Sequence, residues 1–179
     1  MSTGKRIRPW HGRGVASAHP LRAGARVATM PTPTVLLTGF EPFGGEAINP
    51  SWLAVQALHG ALLAEHRVVG LQLPTAFGRA IEALHAGIAQ HRPALVLCCG
   101  QAGGRAALSL ERVAINVDDA RIPDNAGAQP VDTAVVPGGP AAYFTSLPIK
   151  AMQQALAAAG LQAEVSQAAG PFVGSHRVF

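Results

Sequence analysis

The 179-residue sequence has few charged residues, few cysteines and no apolar run long enough to cross a bilayer. Charged residues make up 13% of the chain, whereas 49% of the residues are hydrophobic. A disulfide scaffold is excluded, because the two cysteines, Cys98 and Cys99, are neighbours and point to opposite faces of a strand. Two cysteines that do not pair with each other indicate reduced thiols and a cytoplasmic protein. A transmembrane helix needs about 20 consecutive apolar residues, so we expect no membrane partner.

Acidic residues are absent from the first 29 positions, and this absence explains the basic character of the whole chain. The net charge is +4 and the isoelectric point is about 9.8. The remaining sequence holds 14 − 6 = 8 basic against 10 acidic residues, so we expect no nucleic-acid partner. The six basic residues of this segment are Lys5, Arg6, Arg8, Arg13, Arg22 and Arg26.

Residues 1–33 also lack apolar periodicity, and we predict that they form a basic disordered tail. The same composition suits an organelle transit peptide, and Met30 leaves open an extended start. Residues 34–179 are predicted to form one α/β domain.

Strands and helices alternate along this domain. Strands are predicted at Thr34–Thr38, Arg67–Leu73 and Ala94–Cys99, the last covered on both faces because it is apolar throughout. This order predicts an open, twisted, mostly parallel sheet in three layers, with helices on both faces. The two intervening helices carry apolar stripes at Trp52, Val55, Leu58 and Leu62, and at Phe77, Ile81, Leu84 and Ile88.

The second half of the domain continues the pattern less clearly. A strand is predicted at Val113–Val117 and another at Gln162–Ser166. Between them, Ile149, Met152, Leu156 and Ala159 mark a third helix that ends at Gly160.

Ligands bind such sheets at the carboxyl ends of the strands, where three loops have unusual compositions. They are Thr38–Gly45 (TGFEPFGG), Gly100–Arg105 (GQAGGR) and Ala169–Gly174 (AGPFVG). A nucleotide-binding hypothesis is weak, because the first two loops lack both the P-loop ending and the full dinucleotide fingerprint.

Together with Asn49–Trp52 (NPSW), Glu111–Asn116 (ERVAIN) and Asp119–Asn125 (DARIPDN), these motifs resemble pyroglutamyl peptidase I, also called pyrrolidone carboxyl peptidase. Gly139–Phe144 (GPAAYF) continues the match, so the resemblance covers nearly all of the chain after residue 33. It implies a phosphorylase/hydrolase-like fold and a cytosolic cysteine peptidase that removes N-terminal pyroglutamate from peptides. It also implies a homo-oligomer, a tetramer in the family, with neither metal nor cofactor.

The resemblance assigns a role to several residues. Glu111 matches the acid of a Cys, His and acid triad, although a lone Glu is more simply an exposed strand-edge carboxylate. Arg121 matches an arginine that stabilises developing negative charge, and a salt bridge to Asp118 or Asp119 is the alternative. Four residues match positions that line the pyrrolidone pocket: Phe40, Phe43, Phe172 and Val173. Core packing is the alternative for the aromatic residues. Gln101 matches a further active-site position, and the alternative is a polar loop residue that faces solvent.

The sequence departs from the family at the nucleophile. Gly174 stands where the family has its cysteine, and His176 matches the histidine beside that cysteine rather than the triad histidine. The chain ends at Phe179, before the segment that holds the triad histidine, so we expect a C-terminally incomplete and inactive protein. A degenerate copy, a frameshifted or truncated gene and a deliberately altered sequence remain open. The alternative function is a non-catalytic subunit for pyroglutamyl-peptide binding or assembly.

The other candidate nucleophiles and bases are predicted to be structural. Cys98 and Cys99 belong to the third strand and match no nucleophile motif. Four histidines are predicted to lie on helices and face solvent: His59, His66, His85 and His91.

Overall fold

The computed structural model describes residues 32–167, which contain a four-stranded sheet, two two-stranded sheets and three helices. The strands are β1 (Thr34–Phe40), β2 (Leu62–Leu63), β3 (His66–Leu73), β4 (Leu95–Cys98), β5 (Leu108–Glu111), β6 (Val113–Ile115), β7 (Ala142–Phe144) and β8 (Ala163–Ser166). The helices are α1 (Pro50–Leu58), α2 (Arg79–His91) and α3 (Ile149–Ala158).

The main sheet has the order β2-β3-β1-β4, and β1 pairs in parallel with both β3 and β4. Only the short β2 runs antiparallel, against the start of β3. Two parallel neighbours require crossover connections, which α1 and α2 supply. The predicted α/β class with a mostly parallel sheet is confirmed.

Consecutive leucines in β1 direct the two helices to opposite faces of the sheet. Leu36 is fully buried among Leu73 and Leu84 on the α2 side, whereas Leu37 packs with Val55 and Val68 on the α1 side. Successive side chains of a strand point to opposite faces, so one strand serves two cores. Burying each of these side chains contributes about 1.5–3 kcal/mol.

Helix α1 begins with a side-chain cap and ends sooner than its apolar stripe predicts. Asn49 accepts a hydrogen bond from the Ser51 amide, and Pro50 fits the first helical position, where no amide partner is needed. Gly60 then adopts a left-handed conformation (φ +83) that ends the helix. Leu62 was predicted on this helix, and that prediction is wrong because the residue lies in β2.

Helix α1 crosses very close to β1, and this contact requires a glycine. A Cβ atom at Gly39 would lie 2.7 Å from backbone atoms of Ser51 and Trp52. Backbone atoms cannot move aside as a flexible side chain can. Gly39 therefore brings the loop after β1 directly beneath the start of α1.

The outer part of the sheet follows the prediction only in part. β4 is covered on both faces, as predicted, because Val96 and Cys98 pack on the α2 side and Leu97 packs on the α1 side. The cover is partial, since Leu95 is 41% exposed and the rest of β4 is half-buried. Within the described residues, β4 pairs with β1 alone and is an edge strand of its sheet.

The remaining strands form two small sheets. β5 and β8 pair in parallel, with α3 packed against them, and β6 and β7 pair antiparallel. β6 falls within the predicted Val113–Val117, and α3 and β8 within one or two residues of their predicted bounds. The prediction missed β2, β5 and β7, each four residues or shorter. The predicted helical positions of two histidines are also wrong, since His59 follows the last residue of α1 and His66 lies on β3.

The longest helix in residues 32–167 has 13 residues, and none of the three has the length and apolar character needed to cross a membrane.

Candidate functional site

The loops that follow β1, β3 and β4 leave the same edge of the parallel sheet, where ligands bind in folds of this class. Two of the three loops singled out from the sequence therefore lie at neighbouring strand ends. The third, Ala169–Gly174, lies outside the described residues.

The loop after β1 is fixed by buried polar residues at the start of α1. Asn49, 2% exposed, donates from Nδ2 to the Glu41 carbonyl at 3.1 Å. The Ser51 hydroxyl donates to Asn49 Oδ1 at 2.8 Å and accepts from the Phe40 amide at 3.0 Å. Both buried side chains thus have partners, and the loop has one defined path.

The two aromatic residues of this loop differ in exposure. Phe40 is 5% exposed and belongs to the core cluster of Leu36, Leu73 and Leu84, whereas Phe43 is half-buried. The core alternative for Phe40 therefore has direct support. Phe43 retains surface for a ligand.

Glu41 joins the loop after β1 to two distant parts of the chain. Its Oε1 accepts hydrogen bonds from the Thr75 amide at 2.9 Å and from Asn125 Nδ2 at 3.1 Å. The Thr75 hydroxyl, in turn, donates to the Glu41 carbonyl at 3.0 Å. These bonds bring the segment that contains DARIPDN to the carboxyl ends of β1 and β3.

Asp124, the neighbour of Asn125, is 7% exposed and accepts three backbone hydrogen bonds. One comes from the Phe77 amide, 47 residues away, at 2.7 Å. The other two come from Ala126 and Ala128, both at 2.8 Å, and shape the turn that follows. A buried carboxylate with three N–H donors is well compensated for its loss of water.

Glu111 lies on β5, and its two carboxylate oxygens have different surroundings. Arg105 donates to Oε1 at 2.9 Å, and both side chains are 34% exposed. Oε2 is buried and has no hydrogen-bond partner among residues 32–167. Arg105 therefore orients the carboxylate through Oε1, and Oε2 can accept a further hydrogen bond.

Gln101 and Arg121 are both exposed. Gln101 lies in the loop after β4, and Arg121 in the segment that Asp124 and Asn125 hold in place. The two acids considered as salt-bridge partners of Arg121 differ in burial, since Asp118 is 4% exposed and Asp119 is exposed. The role of Arg121 stays a prediction.

Among residues 32–167, no three His, Cys, Asp or Glu side chains converge as a metal site would require.

The sequence model of the pyroglutamyl peptidase family matches residues 33–179, most of the chain. The chain belongs to the pyroglutamyl peptidase family. Curated relatives include the pyrrolidone-carboxylate peptidase of Cupriavidus taiwanensis, 63% identical over 144 residues that cover 80% of this chain and 67% of that protein. That of Klebsiella pneumoniae is 58% identical over 81% of this chain and 68% of its own length. The chain spans about two thirds of the length of the curated relatives it matches.

Solved structures of the family confirm the fold. Pyroglutamyl peptidase I of Bacillus amyloliquefaciens superposes with a TM-score of 0.79 at 49% identity, covering 80% of this chain and 70% of that one. The pyrrolidone carboxyl peptidase of Pyrococcus furiosus gives a TM-score of 0.78 at 43% identity, covering 80% and 69% of the two chains.

Several family motif residues fall outside the description. Phe172, Val173, Gly174 and His176 lie beyond residue 167, so their predicted roles stay predictions. Three residues that connect the loops of the site had no role predicted from the sequence: Thr75, Asp124 and Asn125. The motif DARIPDN was the available signal, but nothing in it indicated that its last two residues bond to partners 47 to 84 residues away.

Proposed function

We propose that this chain recognises the N-terminal pyroglutamyl residue of peptides and does not hydrolyse it. Two features support the proposal: a hydrogen-bonded arrangement of the loops at the carboxyl ends of β1 and β3, and glycine at position 174. The first concerns recognition and the second concerns chemistry.

The absence of hydrolysis follows from the residue at position 174. A cysteine peptidase forms an acyl-enzyme through a thiolate that an adjacent imidazole activates. Gly174 has no side chain, and Cys98 ends β4 with its side chain packed against the core. Residues of a triad act as a unit, so losing the nucleophile removes most of the rate whatever the others do.

Glu111 is the proposed triad acid, and the observation that supports this role is its buried Oε2, which has no hydrogen-bond partner among the described residues. In a triad the acid accepts a hydrogen bond from the imidazole and holds its tautomer. Arg105 engages Oε1, which leaves Oε2 for that bond. No histidine within residues 32–167 donates to it.

Recognition is proposed to use the flat lactam ring of pyroglutamate. Phe43 supplies a half-buried aromatic wall, whereas Phe40 belongs to the core. Phe172 and Val173 are proposed to close the pocket, and Gln101 to supply a polar contact. Arg121 is exposed and is proposed to attract negative charge.

The experiment uses pyroglutamyl-alanine with the 179-residue protein. We expect calorimetry to detect binding, and a pyroglutamyl-aminomethylcoumarin reporter to show no turnover above a no-protein control. Prolyl-alanine is the control ligand, because its ring is the same size but has a CH₂ group in place of the carbonyl and a charged amine in place of the lactam N–H. Equal affinity for both dipeptides would contradict lactam recognition, and turnover abolished by iodoacetamide would contradict the absence of a nucleophile.

A variant separates a missing nucleophile from other defects. Gly174→Cys, made with Cys98→Ser and Cys99→Ser, carries a single thiol, because the chain has only two cysteines. We expect this protein to recover little turnover, since no described histidine donates a hydrogen bond to Glu111 Oε2. Rates approaching those of active relatives would identify His176 or another histidine as the base.

Self-association and a cytoplasmic location are part of the proposal. The antiparallel pair β6–β7 supports self-association, because Phe144 and Tyr143 of β7 are 73% and 44% exposed. Light scattering that gives a monomer mass at micromolar concentration would exclude it. The thiols of Cys98 and Cys99 support a reducing compartment, which fractionation of the producing cells would test.

A further inference from the structure

We propose that Asn125, together with Asp124, is a positioning residue that holds segment 119–128 against the Phe43 loop and so sets the width of the ligand pocket. We call these two residues and their hydrogen bonds the clamp. This inference rests on the proposed function for its ligand, pyroglutamyl peptides. It rests on hydrogen bonds between three loops for its geometry.

Both hydrogens of the Asn125 side-chain amide cross to the loop after β1. Nδ2 lies 2.8 Å from the Pro42 carbonyl and 3.1 Å from Glu41 Oε1. An amide nitrogen has two hydrogens, so these bonds use its full donor capacity. Pro42 directly precedes Phe43, and the amide therefore fixes the backbone that carries the aromatic wall.

The backbone of Asn125 makes the second connection. Its amide donates to the Thr75 carbonyl at 3.0 Å, and the Thr75 amide donates to Glu41 Oε1 at 2.9 Å. Glu41, Thr75 and Asn125 therefore form a closed cycle in which each residue bonds to the other two. Moving one loop breaks bonds to both of the others.

Asp124 anchors the same segment to the start of α2. Its Oδ2 accepts from the Phe77 amide, while Oδ1 accepts from Ala126 and Ala128 and keeps the turn closed. The Asp124 carboxylate therefore links segment 119–128 to the residues before α2, and it also holds the turn within that segment.

Segment 119–128 places two of its residues next to the loop that contains Phe43 and Gly44. Ile122, 44% exposed, places Cδ1 3.8 Å from the position that a Cβ atom at Gly44 would take. Arg121 precedes it and is also exposed. Ile122 lies close to Gly44, and Asn125 bonds to Pro42, the residue before Phe43. The clamp therefore determines the distance between Ile122 on one side of the pocket and Phe43 on the other.

Asn125→Asp is the informative variant because it keeps the shape and reverses the hydrogen bonding. The new carboxylate has no hydrogen to donate to Pro42 and stands beside the Glu41 carboxylate. Adding Glu41→Gln restores a donor and removes one charge: the new Oε1 accepts from the Thr75 amide and the new Nε2 donates to the carboxylate at position 125. Gln129→Glu is the matched control, because it makes the same charge change at an exposed residue whose amide, among residues 32–167, donates within its own loop to the Ala120 carbonyl.

Calorimetry with pyroglutamyl-alanine is the first measurement on the full chain. We expect Asn125→Asp to weaken binding about tenfold and Gln129→Glu to change the Kd less than about twofold. The double variant should bind more tightly than Asn125→Asp but less tightly than the parent, because it restores the bond between positions 41 and 125 and not the bond to Pro42. The melting temperature of each variant should stay within about 2 °C of the parent. Parent-like binding by Asn125→Asp, or a double variant no better than the single one, overturns the proposal.

Amide hydrogen exchange tests the clamp without any ligand. Asn125→Asp should speed exchange of the amides at positions 75 and 125 about tenfold and leave β1 amides unchanged. If the parent fails to bind the dipeptide while these amides respond, the proposed ligand is wrong and the clamp stands. If they exchange as in the parent, the clamp is wrong.

Discussion

Single polar side chains give this site its geometry, and most of them are buried with defined partners. Asn49 caps α1 and also bonds to the loop that approaches it, and Asp124 combines a local turn with a contact 47 residues away. A buried group that loses its partner costs about 1–3 kcal/mol, more than a typical hydrogen bond contributes. Substitutions that change hydrogen-bonding capacity at these positions therefore have larger effects than their size suggests.

Asp124→Asn tests this reasoning at one residue. We expect the free energy of unfolding to fall by about 1–3 kcal/mol, because one carboxylate oxygen becomes an NH₂ group facing a backbone N–H. Urea denaturation followed by circular dichroism measures the change. Asp132→Asn is the control, since Asp132 is exposed and the same charge change there should cost less than about 0.5 kcal/mol. Equal losses in both variants would show that charge, rather than the three N–H contacts, determines the effect.

The positions of the helices against the main sheet are set by packing between apolar side chains of the two. The 13 residues of α2 bury Leu84 at 4% exposure against Leu36 and Leu73, while Ile88, one turn further on, is 36% exposed. The two positions share a predicted helical stripe. Packing against the sheet buries Leu84 and leaves Ile88 partly exposed.

Leu84→Ala and Ile88→Ala measure this inequality. We expect Leu84→Ala to lower the free energy of unfolding by about 2–5 kcal/mol, because truncation leaves a cavity in a closed core. Ile88→Ala should cost about 1 kcal/mol, because part of its side chain is already in water. Both changes occur in the same helix and end in alanine, so helix propensity contributes little to the difference. Similar losses at the two positions would contradict the assigned core face.

At the scale of the whole molecule, charge is unevenly distributed. Six of the 14 basic residues lie in the first 29 positions, and the remainder of the chain holds 8 basic and 10 acidic residues. The overall isoelectric point near 9.8 therefore describes the N-terminal segment more than the α/β domain.

Deleting residues 1–29 should change the free energy of unfolding by less than about 0.5 kcal/mol and lower the isoelectric point. The physical reason is the composition of the segment, which offers few large apolar side chains to bury. Thermal denaturation and isoelectric focusing measure the two effects. Deletion of residues 1–36 is the contrasting case, because it removes the fully buried Leu36 and part of β1, and it should abolish folding. Substantial destabilisation by the shorter deletion would show that the segment packs.

Apolar patterns predicted the main sheet and its two flanking helices well, because burial of a periodic apolar face dominates local conformational preference. The same method missed some of the shortest elements. β2 and β7 have two and three residues, and their pairing partners, rather than their own sequences, make them strands. The exposure of Leu95 has the same origin, since an apolar run does not reveal which strands will stand beside it.

The family and the glycine at the proposed nucleophile position can be read from the sequence, because motifs such as TGFEPFGG and the residue at position 174 are local features of the chain. The α/β alternation followed from periodicity for the same reason. The fold, in contrast, sets the hydrogen bonds of Asp124 to Phe77 and of Asn125 to Glu41 and Pro42. It also places Phe40 in the core and leaves Phe43 half-buried. It also decided that one oxygen of Glu111 is buried with no partner among the described residues. These facts depend on contacts between residues up to 84 positions apart, and such contacts form only when the sheet brings its loops to one edge.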